Sequence, residues 1–143
     1  MLPNPRRTAV GVLLLALVFP GAAGANELRV QLRGIESADG EVRCGVFIDQ
    51  ESLDASRYVH RMKAPAEEGV VELVFEDVAP GRYGVNAFHD ENGNETLDRN
   101  LVGIPREPYG FSNNARGSFG PPGFDAVSFE MGTEPKTIQI DLR

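Results

Sequence analysis

The chain contains no tryptophan and one cysteine, Cys44. A single thiol cannot close an internal disulfide, so stability has to come from an apolar core, helped at most by a bound ion. Cys44 falls on an apolar position of an alternating run. It reads as a buried core residue rather than a reactive or intermolecular thiol. Histidine is scarce, with only His60 and His89. Positive charge is in deficit: 14 Lys and Arg face 21 Asp and Glu, for a net charge of −7. Nucleic-acid binding needs clustered Lys and Arg, so that class is excluded. No G-x-S-x-G elbow, His-Glu-x-x-His or phosphate-binding loop occurs, and no catalytic residues are assigned.

Long apolar runs are also missing, apart from one near the start. Ala9–Phe19 is uncharged, but its eleven residues fall short of the about 20 that a membrane span requires. Arg6 and Arg7 precede it, Pro20-Gly21 break it, and Ala23-Gly24-Ala25 place small residues at −3 and −1. This is the layout of a secretory signal peptide over residues 1–25, cut after Ala25. The arginine pair fits a twin-arginine start, without the rest of that motif. No cysteine stands at the cut to take a lipid. The expected mature protein is residues 26–143, in the periplasm or the medium, with no membrane span. Losing two leader arginines takes its net charge from −7 to −9.

What is present is alternation with a period of two. Leu28, Val30 and Leu32 alternate with charged or amide residues. Apolar residues also recur at every second position in Val42, Cys44, Val46 and Ile48; Val71, Leu73 and Phe75; Tyr83, Val85 and Ala87; and Ile138, Ile140 and Leu142. Val127 and Phe129 mark a further strand. Such runs put one face in a core and the other in water. Asp39-Gly40 predicts a tight hairpin between the first two strands, and Pro80-Gly81 separates the third from the fourth. A short helix or turn is expected near Ser52–Tyr58. The fold class is all-β: an antiparallel β-sandwich of about six to seven strands, with closure into a barrel as the alternative. Residues 90–125 break the rhythm. They show no clear strand but too many apolar residues for a solvated linker, which predicts one long ordered loop packed on the sandwich.

That loop opens with D-x-N-x-N-x-x-x-D over Asp90–Asp98. Side-chain oxygens from Asp90, Asn92, Asn94 and Asp98, with the Thr96 carbonyl, match the first nine positions of an EF-hand-type calcium loop. Glu95 replaces the usual turn glycine, Leu101 stands where the bidentate Glu belongs, and the flanks are not helices. The site is therefore expected to bind Ca²⁺ weakly, roughly 10⁻⁴ to 10⁻³ M as in extracellular modules. Any further ligand comes from water, loop carbonyls, Glu91, Glu95, Asn100 or Glu107. Magnesium and zinc suit this donor set less well. A metal-free Asx turn accounts for the same residues. His89, at the head of the loop, is expected to hydrogen-bond loop backbone.

Two motifs carry a family resemblance. Ala79-Pro80-Gly81-Arg82-Tyr83-Gly84-Val85 leads into His89-Asp90-Glu91-Asn92-Gly93-Asn94. Gly103-Ile104-Pro105-Arg106-Glu107-Pro108-Tyr109-Gly110-Phe111-Ser112-Asn113-Asn114 is followed by Phe119-Gly120-Pro121-Pro122-Gly123-Phe124-Asp125-Ala126. Together they resemble the bacterial domain-of-unknown-function family 2141, whose members look like exported β-sandwich proteins without an assigned activity. That family commonly carries Gly where this chain has Glu95. The Pro-Gly-x-Tyr step is also similar to transthyretin-like and carboxypeptidase-regulatory-like sandwiches, an analogy of fold only, and the expected sandwich is of the immunoglobulin- or transthyretin-like kind. In the second motif, Tyr109, Phe111, Asn113, Asn114 and Phe119 form a candidate surface for a glycan, a peptide or an envelope protein. The same aromatics can equally serve as packing anchors. Three functions stay open: a non-catalytic exported binding module, a cell-envelope assembly protein, and a hydrolase using Ser112 with His89.

Overall fold

A computed structural model of the protein describes residues 26–143; the expected leader, 1–25, lies outside them. Eight strands, two short α-helices and one 3-10 turn, Ser112–Asn114, are present among the described residues. The strands are β1 (Leu28–Ile35), β2 (Glu41–Phe47), β3 (His60–Pro65), β4 (Gly69–Phe75), β5 (Gly81–Asp90), β6 (Tyr109–Phe111), β7 (Phe129–Met131) and β8 (Lys136–Asp141). The helices are α1 (Gln50–Asp54) and α2 (Phe124–Val127).

The alternating runs bury one face each. Leu28, Val30 and Leu32 of β1 meet Val71, Leu73 and Phe75 of β4 and Ile140 of β8 across a core shared with Val42, Cys44, Val46, Val85 and Ala87. Burial pushes the Cys44 thiol pKa well up, which keeps it protonated and inert, as an apolar position should. The small sheet runs β4-β1-β8 and the large one β3-β2-β5-β6, with β7 beside the start of β5. The fold is thus an all-β sandwich.

Three expectations need correction in detail. The Asp39-Gly40 turn is not a hairpin, because β1 pairs β4 and β8 while β2 pairs β3 and β5. The turn carries the chain from one sheet to the other. Gly40, at φ 68°, allows this, and a side chain there would meet the Asp90 carbonyl at 2.0 Å. The sandwich is not wholly antiparallel, since β1 and β8 run parallel from Leu28↔Lys136 to Arg33↔Asp141. Alternation fixes which face a residue occupies, not the direction of its neighbour. Finally, the segment 90–125 is not one strandless excursion. Tyr109–Phe111 returns to pair with Phe88, Ala87 and Asn86 of β5, and α2 follows at Phe124–Val127. Val127 therefore ends a helix, and the strand starts at Phe129.

A second apolar cluster lies on the outer face of the large sheet. Phe47, Leu53, Phe111 and Val127 are buried there, with Tyr58, Tyr109 and Phe124 packed against them. Two glycines make room for these groups. A side chain at Gly45 would strike the Tyr58 ring at 2.4 Å, and one at Gly84 would strike Phe47 at 2.5 Å. Helix α1, Gln50–Asp54, overlaps the start of the stretch expected to turn, Ser52–Tyr58, but begins two residues earlier. Asp49 caps it, its carboxylate accepting from the Ser52 amide at 2.7 Å. Bonds from the Ser52 hydroxyl and amide hold the Asp49 pKa below the usual range.

Candidate functional site

Strand β5 delivers two polar side chains to its C-terminal end, and both are fully buried. His89 points inward. Its Nε2 lies 2.6 Å from the Asp39 carbonyl and donates to it, which fixes the sheet-crossing turn. Its Nδ1 is buried without a hydrogen bond and faces Glu91 at 3.8 Å. The ring therefore bonds backbone as expected in kind, but that of the β1–β2 turn and not that of the loop it heads.

Asp90 lies on the opposite face. Its Oδ2 accepts from Arg43 Nε at 2.9 Å and from the Glu95 amide at 2.9 Å, and its Oδ1 accepts from the Asn94 amide at 3.1 Å. The next two loop residues repeat the pattern. Asn92 Oδ1 accepts from the Asn94 amide at 3.1 Å, and Asn94 Oδ1 accepts from the Thr96 amide at 3.0 Å. The backbone therefore winds around the oxygens at positions 1, 3 and 5, in nested Asx turns. Gly93 (φ 69°) and Glu95 (φ 70°) take left-handed conformations. Glu95 thus makes the turn that glycine would make, at a cost of about 1–2 kcal/mol. Its exposed carboxylate reaches Arg43 Nη2 at 2.9 Å.

Asp98 closes the loop. It accepts from the side-chain amides of Asn92 and Asn94, the latter at 2.8 Å. Asn92, Asn94 and Asp98 are therefore brought together, while Asp90 sits beneath them on Arg43 and the backbone. Of the other candidate oxygen donors, Glu95, Asn100 and Glu107 are engaged by protein groups, while the Glu91 carboxylate has only His89 Nδ1 near it among the described residues. Glu107, buried, ties the loop's two limbs by accepting from the Glu91 amide at 3.0 Å and the Asp98 amide at 3.1 Å. Asn100 accepts from the amides of Val102 and Ile104. Among the described residues, no three His, Cys, Asp or Glu side chains gather as a metal-ligating group. Any ion here draws on amide and carbonyl oxygens as well as carboxylates. An open hollow of about 370 Å³ adjoins the loop, lined by Glu91, Asn92, Asp98, Arg99, Arg106 and Glu107.

Arg43 is the functional-site residue that loop reading misses. It touches Glu41, Asp90 and Glu95 together. Partial burial opposes its charge, but bonds to Glu95 and Asp90 outweigh that and raise its pKa further.

The second candidate surface is dispersed. Phe111 is buried in the outer cluster. Asn113 donates to the carbonyls of Ala126 and Ser128. Asn114 grips Asp141, accepting from its amide at 2.8 Å and donating to its carboxylate at 3.2 Å. Tyr109 stacks edge-on against Phe111, with Arg116 over its ring. Phe119 alone stands free in solvent. The fold uses four of the five side chains for itself, so they form no continuous aromatic patch. Ser112 is fully buried. Its hydroxyl accepts from the Val85 amide at 2.9 Å and donates to the Val127 carbonyl, so the structure does not bring it to His89. No helix among the described residues is long and apolar enough to cross a membrane.

The comparisons with known proteins agree with the motifs. No curated protein and no solved structure matches the chain. One family model matches across residues 30–139, from within β1 to within β8 and including the acidic loop and both motifs: the chain belongs to DUF2141, an uncharacterized protein conserved in bacteria.

Proposed function

We propose that the protein is a non-catalytic exported binding module whose loop Asp90–Asp98 takes up Ca²⁺ and is stiffened by it. The observation that carries this reading is the nested turn. Side-chain oxygens at loop positions 1, 3 and 5 each already accept a backbone amide, and positive φ at Gly93 and Glu95 wraps the chain around them. A calcium loop requires that winding before its oxygens can face one ion. Asn92, Asn94 and Asp98 lie within hydrogen-bond reach of one another. Calcium supplies a hard cation to oxygens that the amide side chains now satisfy.

Arg43 sets the affinity. A guanidinium resting on Asp90 removes much of one of the two carboxylate charges available to an ion. Affinity scales with ligand charge, so the ion is held only at roughly 10⁻⁴ to 10⁻³ M. An ion with Kd of about 1 mM, present at about 10 mM, stabilises the folded state by about 1.4 kcal/mol. That is a rise of about 5 °C in the melting temperature of a domain of this size. Calorimetric titration with CaCl₂, paired with melting curves for the wild type and Asp98→Asn, tests the reading. The expected result is weak heat and a Tm rise that the variant loses. No heat and no shift at millimolar Ca²⁺ would retire it, as would an equal response to Mg²⁺.

A further inference from the structure

Large exposed aliphatic side chains are unevenly placed. Ile48, Val59 and Val70 stand singly, but Leu101, Val102 and Ile104 occupy three of four consecutive positions and are 107, 78 and 58% exposed. They form the tip of a small finger. Arg99 and Pro105 bridge its base. The Asn100 amide donates to the Ile104 carbonyl at 2.8 Å, and the Gly103 amide donates to the Asn100 carbonyl at 3.0 Å. The Asn100 side chain accepts from the Val102 and Ile104 amides, and Arg99 donates to the Gly103 carbonyl. The amides of Asn100, Val102, Gly103 and Ile104 are therefore satisfied within the finger, and Leu101, Val102 and Ile104 project hydrocarbon outward. With most of its N–H groups paired, such a tip can enter the interfacial region of a bilayer, where its remaining carbonyls still meet water.

Two arginines flank the tip. Arg99 and Arg106 are exposed, and neither makes a salt bridge among the described residues. With Asn100, Leu101 and Val102 they line an open hollow of about 460 Å³, so two cationic and two apolar side chains share one surface feature. From these observations we infer that the finger inserts into the interfacial region of an anionic phospholipid bilayer, with Leu101, Val102 and Ile104 among the acyl chains and Arg99 and Arg106 at the phosphates. A protein partner fits less well. Three side chains on a convex apex offer far less than the roughly 800 Å² per partner of a standard interface. The paired arginines match a layer of phosphates. The inference does not depend on the calcium reading. The adjacent acidic loop repels an anionic surface, so Ca²⁺ there would strengthen attachment without creating it.

Co-sedimentation with phosphatidylethanolamine–phosphatidylglycerol vesicles, in Ca²⁺ and in EGTA, tests this. The chain beginning at Asn26, which contains every strand and both apolar clusters, is used so that Ala9–Phe19 cannot itself bind lipid. The wild type is expected to partition onto the vesicles in both media. Leu101→Asp should weaken binding about a hundredfold or more, because a buried aliphatic chain becomes a charge. Arg99→Ala and Arg106→Ala should each weaken it about fivefold on anionic vesicles and little on phosphatidylcholine alone. Leu101 is fully exposed, so an unchanged melting curve separates lost binding from lost folding. Failure to bind any vesicle, or Leu101→Asp binding as well as the wild type, would overturn the lipid assignment and return the finger to a protein partner.

Discussion

Replacing Asp90 by Asn leaves the size of the side chain almost unchanged and removes its charge. Asp90 is fully buried and accepts three hydrogen bonds, from Arg43 Nε and the amides of Asn94 and Glu95. An amide side chain keeps one acceptor and turns two N–H groups toward other donors. Removing one partner of a buried ion pair costs about 3–5 kcal/mol. Arg43 retains Glu41 and Glu95, and its side chain is still 19% exposed, so the lower end, about 3 kcal/mol, applies. Residues 26–143 number 118. At about 2.1 cal/mol/K per residue the unfolding entropy is about 250 cal/mol/K, which gives a fall of about 12 °C in Tm. Melting the wild type, Asp90→Asn, Arg43→Met and the double variant measures the coupling. The double variant should lose less than the two single losses together, by about 1–3 kcal/mol. A fall under about 3 °C for Asp90→Asn, or single losses that simply add, would show that the pair is not what holds the loop to the sheet.

Two further outcomes follow from the packing and the cap. Gly84→Ala places a methyl group 2.5 Å from Phe47 and 2.9 Å from Val127. Both neighbours are fully buried, so a loss of about 1–3 kcal/mol is expected, while Gly132→Ala, with open space around it, should melt like the wild type; equal melting of the two would refute the close approach. Asp49 has a folded-state pKa below its ordinary value because it accepts from the Ser52 hydroxyl and amide. Its contribution is therefore fully present above the unfolded pKa near 4 and is lost as pH falls through the lower folded value. Melting curves between pH 2 and 6 should show the gap between the wild type and Asp49→Asn narrowing below about pH 4; a constant gap would refute the cap's charge dependence.

The faces of the strands were legible because burial alone dictates alternation. The neighbours were not. Leu28–Ile35 looks the same whether its partner runs parallel or antiparallel, so the β1–β8 pairing was hidden. Strand β3 was missed for a different reason. Its sequence, HRMKAP, buries only part of each inward residue. It pairs with β2 alone and ends at Pro65, the composition of an edge strand kept polar on purpose. Leu101, Val102 and Ile104 counted toward a loop packed on the sandwich, yet they are exposed, while Phe111 of the same segment is core. Apolar content shows that a segment is no solvated linker but not which of its side chains face inward.

The acidic loop shows why a spacing pattern reaches only halfway to chemistry. An Asx turn needs a short side chain whose oxygen accepts the amide two residues on, as at Asn92 and Asn94; a calcium loop needs the same residues with the same oxygens turned to an ion. Both demands select Asp and Asn at positions 1, 3 and 5, so the pattern fits either. What distinguishes them is the counter-charge, and that comes from outside the loop. Arg43 is opposite Phe88 in the β2–β5 register, which makes Asp90, two residues on, its diagonal neighbour on the same face. The pair is a consequence of strand register and is invisible until the register is known. If Arg43 is the cation that Asp90 keeps, calcium must compete for the remaining oxygens and bind weakly. Arg43→Met should then tighten Ca²⁺ binding even as it lowers stability, two effects of opposite sign from one substitution. Weaker Ca²⁺ binding in that variant would contradict the competition.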